Sequence, residues 1–184
     1  MKRLLEYGGI AASIVLIAFG IGATIIGIDG RDRVQTELAR EQIVGTPDSS
    51  IPDQLVNTGS EAQAFAKTMR KHTLEATGGK TYSQMPRFAT ADGKGTNDEK
   101  AALSKGGRPV DNPARNIWVT ETALTTALNT AYFAESTATF VIVMGIAMLL
   151  TGAGFLILTL RVLRVPGTAK EPHRRTAPAA AVPH

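Results

Sequence analysis

Two uninterrupted apolar runs, at residues 10–28 and 138–160, dominate the pattern of the chain. Neither run contains Asp, Glu, Lys, Arg or His. Each is close to the about 20 apolar residues that an α-helix needs to cross roughly 30 Å of hydrocarbon. The pattern therefore predicts two transmembrane helices. The alternative is a pair of buried core helices, but uncharged runs of this length are rare outside membranes.

The first run also invites comparison with a secretory signal peptide, because Lys2 and Arg3 give it a basic start. Its apolar region exceeds the roughly 7–15 residues that are usual for a signal, and no A-x-A-like cleavage site follows it. We therefore expect an uncleaved anchor.

Helical patterns continue into polar sequence beside each run. Val34 and Leu38 form a narrow apolar stripe among alternating charges, which predicts an amphipathic helix leading out of the first run. Pro113 favours a first helical turn, and no proline or glycine follows it before Gly145. The pattern predicts one continuous helix, half in water and half in lipid, antiparallel to the extension of the first helix.

The polar sequence between these two arms predicts one further helix. Ser60 is its predicted N-cap, and Gly78 or Gly79 its C-terminal stop. Residues 79–113 are rich in Gly, Asp, Asn and Lys, which predicts irregular structure with at most a short helix at 98–104. The fold class is mainly α: two transmembrane helices with long extracytoplasmic helical extensions and an irregular, loop-rich helical outer domain.

Charge sets the predicted orientation. Basic residues follow the second run closely, whereas the nearest one before it is Arg115. Because cytoplasmic flanks carry the excess of Lys and Arg, we expect both termini in the cytoplasm. The predicted organisation in a bacterial cytoplasmic membrane is a cytoplasmic N-terminus at 1–9, spans at 10–28 and 138–160, an extracytoplasmic domain at 29–137 and a basic, disordered tail at 161–184. The sequence pI near 9.6 then reflects lipid-facing tails, so membrane lipid is an expected partner and nucleic acid is not.

Two sets of residues are predicted to make contacts. Small residues four positions apart let helix backbones approach closely in lipid, although Gly and Ala are also common in membrane helices generally. The predicted helix-packing residues are Ala18, Gly22, Ala23, Gly27, Gly145 and Gly152. Trp118 lies too far from the second run to sit at the lipid headgroups, so it is the predicted anchor of the outer domain. The predicted outer-domain core or partner contacts are Trp118, Phe65, Met69, Tyr82 and Phe88.

No motif predicts catalysis. The chain has no cysteine, which excludes disulfides, thiolate metal sites and thiol nucleophiles. GGKT at 78–81 has Leu74 where a phosphate-binding loop needs glycine, and the acidic loop at 92–99 lacks the register of a calcium-binding loop. His72 has no second histidine outside the tail for a zinc set. We therefore predict no catalytic, cofactor-binding or metal-binding residues, and no enzyme.

Three segments carry a resemblance to known proteins. RKHTLEATGGKTYSQMPRF at 70–88, DGKGTND at 92–98 and NPARNIWVTETALTTALNTAYFAE at 112–135 resemble stretches of uncharacterised two-pass membrane proteins of actinobacteria. The resemblance extends over the chain to about residue 164. It implies the same two-span topology and a bacterial origin. It implies no functional residues, because that family has no assigned activity.

These observations favour a non-enzymatic accessory or scaffold protein that packs laterally with a membrane complex or with itself as a homo-oligomer. One alternative is a ligand-binding or sensory module whose outer domain signals through a partner. A second alternative is an oligomeric pore lined by Thr24, Thr151 and Thr159. The absence of ionisable groups within both runs argues against a transporter acting alone.

Overall fold

The computed structural model describes residues 2–163, and over that range the protein is mainly helical, as predicted. The α-helices are α1 at Lys2–Arg40, α2 at Gly59–Ala76 and α3 at Pro113–Leu158, which continues into a π-helical turn at Thr159–Leu163. Between α2 and α3 lie a 3₁₀ turn at Tyr82–Gln84 and two short strands, β1 at Ser104–Lys105 and β2 at Arg108–Pro109. The predicted disordered tail lies outside the described residues from residue 164 onward.

α1 and α3 pack against each other as an antiparallel pair. The backbones approach so closely that a Cβ atom on Gly20 would lie 2.7 Å from the carbonyl oxygen of Gly145. A Cβ atom on Gly27 would lie 2.9 Å from the carbonyl oxygen of Ala138. Glycine permits this approach because it has no side chain. The continuous α3 and its antiparallel placement beside α1 confirm the prediction from the sequence.

The apolar parts of α1 and α3 are largely exposed. Each helix is long and apolar enough to cross a membrane, and only 11% of the most apolar window of each is buried within the molecule. A core helix of a soluble protein would be mostly buried. Large apolar side chains such as Phe19, Ile26, Phe140 and Leu150 instead face outward. This surface is compatible with insertion into a membrane.

A small hydrophobic core joins α2 to the polar halves of α1 and α3. Its buried side chains are Leu38, Val56, Ala62, Ala66 and Leu128. Val56, which is fully buried, comes from the loop between α1 and α2. That loop is held by a bridge between Val44 and Leu55 and by the Val56 N–H, which donates to the Ile43 carbonyl at 2.8 Å. The core therefore fixes α2 against the helical arms.

The N-cap of α2 is Thr58, so the prediction of Ser60 is wrong. The Thr58 hydroxyl accepts a hydrogen bond from the Glu61 N–H at 3.3 Å, and the Glu61 carboxylate accepts one from the Thr58 N–H at 2.9 Å. This reciprocal pair is a capping box, which satisfies two backbone donors at once. The predicted stop is confirmed, because Gly78 and Gly79 take positive φ angles after the last turn.

Residues 79–112 are mostly irregular, as predicted, and residues 98–104 form no helix. Residues 98–101 form a turn, and β1 then pairs with β2 in an antiparallel hairpin. Gly106 and Gly107 both have positive φ, which suits the two-residue turn of a hairpin. Phe88 is buried at the centre of the loop and bridges Thr96 on one side and Asp111 on the other.

Candidate functional site

An open apolar groove, here called the outer groove, runs between the polar halves of α1 and α3 and is closed at one side by α2. Its volume is about 520 Å³. Arg33, Glu37 and Glu41 supply charges of both signs to its lining. The apolar side chains of the lining are Val34, Leu38, Ile43, Phe65, Leu124, Ala127, Leu128, Ala131 and Ala134.

The outer groove exists because α3 presents small side chains beside larger ones. Ala127, Ala131 and Ala134 recur at helical spacing, so they share the groove face of α3. Alanine fills little of the space between two helices, and Leu128 alone of the α3 lining residues is fully buried in the core. Phe65, a predicted contact residue, is half-buried against the core and forms part of the groove wall.

A second apolar depression, here called the inner hollow, lies on the apolar part of α1. Its volume is about 510 Å³. Three predicted helix-packing residues belong to it, and the full lining is Ala18, Phe19, Gly22, Ala23, Ile26 and Val141. A Cβ atom on Gly22 would meet no atom within 4 Å, so this small-residue stripe faces outward.

The other predicted packing residues serve the contact between α1 and α3 within one molecule. Gly27 and Gly145 lie where the two backbones meet, and a Cβ atom on Gly152 would lie 2.8 Å from the Ile17 side chain. Of the predicted pore residues, Thr24 and Thr159 also lie at this contact, beside Gly145 and Gly9. The Thr151 hydroxyl donates back to the Ala147 carbonyl of its own helix at 2.8 Å.

The outer groove and the inner hollow follow one face of the α1–α3 pair. On α1, Ile26 of the inner hollow lies seven positions before Arg33 of the outer groove. On α3, Ala134 of the outer groove lies seven positions before Val141 of the inner hollow. Seven residues fall only about 20° short of two full helical turns, so both depressions have nearly the same angular position. Both depressions therefore lie on the same face of the pair.

A buried carboxylate just before the apolar segment of α3 ties α2 to the helix pair. Glu135 is 8% exposed. It accepts hydrogen bonds from Arg31 at 3.1 Å and Gln35 at 2.7 Å, and also from the Gly59 N–H at the start of α2. Burial alone would raise the pKa of Glu135, but these hydrogen bonds outweigh it and hold the pKa below the ordinary value. The ionised form is therefore stabilised in the folded protein.

Gly59 is required for this contact, and the sequence analysis missed it. A Cβ atom at position 59 would lie 2.8 Å from both the Glu135 carboxylate and the Tyr132 Cα. The Gly59 N–H is one of the free donors at the start of α2, and the positive end of the helix dipole favours the carboxylate there. The signal in the sequence was a glycine directly after the N-cap residue, because a glycine at the start of a helix lets another chain segment approach its backbone closely.

Trp118, the predicted anchor of the domain between the two apolar runs, is buried near the start of α3 and contacts the loop that follows α2. It is 3% exposed, and its indole N–H donates to the Lys80 carbonyl at 2.9 Å and to the Thr77 hydroxyl at 3.3 Å. The Arg70 guanidinium lies 5.2 Å from the ring centroid. Trp118 therefore fixes the loop that follows α2 to the first turns of α3.

The remaining predicted contact residues are spread over different places. Met69 is half-buried on α2, Phe88 is buried in the loop between α2 and α3, and Tyr82 is exposed. The structure brings Tyr82 and Phe88 near two arginines, because the Arg115 guanidinium lies over the Tyr82 ring and that of Arg87 over the Phe88 ring. Neither aromatic residue lines the outer groove.

The surface near His72 is an ion-pair cluster. Asp48 lies 2.8 Å from the His72 Nε2 and 3.0 Å from the Lys71 Nζ. Hydrogen bonds from His72, then Lys71 and Thr46, hold the pKa of Asp48 well below its usual range. Within residues 2–163, no three His, Asp or Glu side chains come together as a set of metal ligands.

No protein-family model, no curated protein and no solved structure matches this chain.

Proposed function

We propose that the protein is a two-span protein of a bacterial cytoplasmic membrane, with both termini in the cytoplasm and residues 29–137 outside. It acts as a non-enzymatic accessory or scaffold subunit. The exposed apolar surfaces of α1 and α3 and the excess of basic residues after the second run support this placement. The resemblance of residues 70–88 and 112–135 to actinobacterial two-pass proteins supports the same topology.

The placement of the inner hollow and the outer groove on one face of the helix pair carries the proposal. The inner hollow offers small residues, which let a transmembrane helix approach closely in lipid. The outer groove offers an apolar trough in water with charges at its rim, which suits the apolar face of an amphipathic helix. One partner helix that crosses the membrane and continues outside it would fill both. The partner is therefore a membrane protein whose span extends beyond the bilayer as an amphipathic helix.

Filling the outer groove is expected to release that partner. Ala127→Trp places a bulky ring in the trough and should reduce the partner recovered from mild detergent by about tenfold or more, since a hot-spot contact contributes at least 1.4 kcal/mol. Thr126→Trp is the matched control, because Thr126 is exposed and does not line the groove. The measurement is affinity purification of the tagged full chain followed by quantitative mass spectrometry.

Crosslinking identifies the occupant. A photoreactive residue at Gly22 and one at Ala127 should both capture the same partner, and the captured peptides should come from one span and its outer extension. Recovery of the chain alone, with no second protein, would contradict the accessory role. Equal recovery with Ala127→Trp and Thr126→Trp would contradict docking in the outer groove.

A sensory module is the second candidate, and the continuity of α3 favours it. α3 runs without a break from the outermost loops to the end of the apolar segment. A rigid helix of this kind transmits displacement of its outer end to the membrane.

A further inference from the structure

A polar pocket of about 410 Å³ opens at the outer end of α3, away from the outer groove. Its lining consists of Tyr82, Arg87, Asp111, Asn112, Arg115 and Asn116. Two arginines and one carboxylate give this lining a net charge of +1 at neutral pH. None of these residues belongs to the outer groove or to the Glu135 network.

Both arginines of the pocket are supported by aromatic rings. The Arg115 Cζ lies 4.0 Å from the centroid of the Tyr82 ring, and the Arg87 Cζ lies 5.0 Å from that of Phe88. Stacking of this kind orients a guanidinium group while leaving its N–H groups at the edge free to donate. The rings therefore position both cations without neutralising them.

Neither arginine has an anionic partner in the part of the chain that the structure describes. The ion pairs of residues 2–163 do not include Arg87 or Arg115, although Asp111 lines the same pocket. The Nε atom of Arg115 is buried and has no hydrogen-bond partner among these residues. A buried donor left unpaired is costly, and like charges that share a pocket repel each other. An anion bound between the two guanidinium groups would relieve this repulsion.

The walls of the pocket are held by backbone contacts on both sides. The Arg87 N–H donates to the Asn97 side chain at 2.9 Å, and the Arg87 carbonyl accepts from the Asn112 N–H at 2.9 Å. The Asn112 side chain donates to the Pro86 carbonyl at 2.9 Å and also caps α3 by accepting from the Ala114 N–H at 3.1 Å. The backbone that carries Arg87 is therefore held beside the first turn of α3, which lowers the entropy cost of binding a ligand.

We propose that this pocket binds the oxyanion group of a small ligand, a carboxylate or a phosphate, between the guanidinium groups of Arg87 and Arg115. Planar guanidinium groups bind two oxygens of such an anion at once. Asp111 and Asn116 remain beside it to accept hydrogen bonds from donors on the rest of the ligand. The binding role of this pocket goes beyond the scaffold function.

The pocket lies far from the apolar segment. Arg115 and Ala138 are joined by continuous helix, which separates them by about 35 Å at about 1.5 Å per residue. If the apolar segment spans the membrane as proposed, a headgroup of that membrane does not reach the pocket. The ligand then comes from the space outside, as a free carboxylate or a free phosphate compound.

The only tryptophan of the chain reports on the pocket. Trp118 lies one helical turn after Arg115, and its indole contacts the loop that leads to Tyr82. The fluorescence of the full chain in detergent should therefore respond saturably to inorganic phosphate or to succinate, with half-saturation below about 10 mM. Chloride at equal ionic strength is the control for screening. Tighter binding of one probe identifies the phosphate or the carboxylate as the ligand group.

Variants locate the response. Arg87→Gln and Arg115→Gln should each weaken the tighter-binding probe by about tenfold or more, because each removes a charge-assisted contact. Arg115→Lys should fall between Arg115→Gln and the unchanged chain, since it keeps the charge but loses the planar fork. Arg108→Gln is the control for net charge, because Arg108 is exposed on β2 outside the pocket. Circular dichroism and the melting temperature confirm that each variant is folded.

The outcomes separate clearly. A saturable response to phosphate or succinate that folded Arg87→Gln loses and Arg108→Gln keeps supports the site. The absence of a saturable response up to about 10 mM, or an equal response to chloride, overturns it. Equal affinities in the chain with and without Arg87→Gln also overturn it. Loss of the scaffold partner with Ala127→Trp is a separate result, so the two proposals fail independently.

Discussion

Gly145→Ala is expected to destabilise the helix pair by about 2–3 kcal/mol. At an unhindered helix position the same change would instead stabilise the helix by about 1 kcal/mol. The new Cβ atom would lie 2.5 Å from the Thr24 hydroxyl oxygen and 2.8 Å from the Gly20 carbonyl oxygen. The second of these atoms is backbone, so α1 must move away as a whole. The close contact of the two helices is then lost over several turns.

Gly154→Ala is the matched control for this effect. Gly154 lies on the same helix, and a Cβ atom there would meet nothing within 4 Å. Its substitution should be neutral or slightly stabilising because only the helix propensity changes. The stability of both variants is measured by reversible unfolding in mixed micelles of a mild detergent with increasing amounts of SDS. Equal midpoints for Gly145→Ala and Gly154→Ala would contradict the tight contact.

Glu135→Ala is expected to lower the stability of the outer domain by about 2–4 kcal/mol, because it leaves the Gly59 N–H and the Arg31 guanidinium without their partner. The first turn of α2 then loses its link to α3. Hydrogen exchange should become faster at the start of α2, and the melting temperature should fall. Glu99→Ala, which removes an exposed carboxylate, is the control and should leave both unchanged.

The same carboxylate predicts a pH dependence of defined sign. The pKa of Glu135 in the folded protein lies below its ordinary value of 4.5. Its contribution to stability is therefore complete above that value and is lost as the pH falls through the lowered pKa. The stability difference between the unchanged chain and Glu135→Ala should shrink below about pH 4. If the stability difference stays constant down to pH 2, the ionised carboxylate of Glu135 is not what stabilises the fold.

Periodicity and breakers were enough to predict the helices. The chain from Pro113 has no breaker before the apolar segment, so α3 was predicted as one piece and found as one piece. The antiparallel arms followed from the apolar stripe at Val34 and Leu38, and Leu38 indeed shares the core with Leu128. The helices depend on local sequence alone, and the pairing of the two arms followed because an amphipathic arm needs a packed partner.

The sequence was least informative where a local pattern fits two different structures. Thr58 and Ser60 are both capping residues, and only Thr58 lies three positions before Glu61, which decides the capping box. The sequence allowed at most a short helix at 98–104, and two glycines at 106 and 107 favour the hairpin turn that the structure has instead. In both cases the deciding residues lie just outside the segment with the local pattern: Thr58 precedes Ser60, and Gly106 and Gly107 follow residue 104.

The individual side-chain contacts between distant segments could not be predicted. Glu121 and Glu135 share one face of α3, and nothing in the sequence shows that Glu135 receives Arg31, Gln35 and the start of α2. The sequence also does not show which small residues of α1 face α3 and which face outward, since Gly27 and Gly22 look alike in it. Only the packing shows that Gly27 meets α3 while Gly22 faces outward.

Labelling of single cysteines tests the membrane placement most directly, because the chain has no cysteine of its own. A membrane-impermeant maleimide should label Lys94→Cys, on an exposed loop, in intact spheroplasts. It should label Leu4→Cys and Ala179→Cys only after permeabilisation. The account is contradicted if Lys94→Cys is protected in intact spheroplasts, or if Leu4→Cys or Ala179→Cys is labelled there.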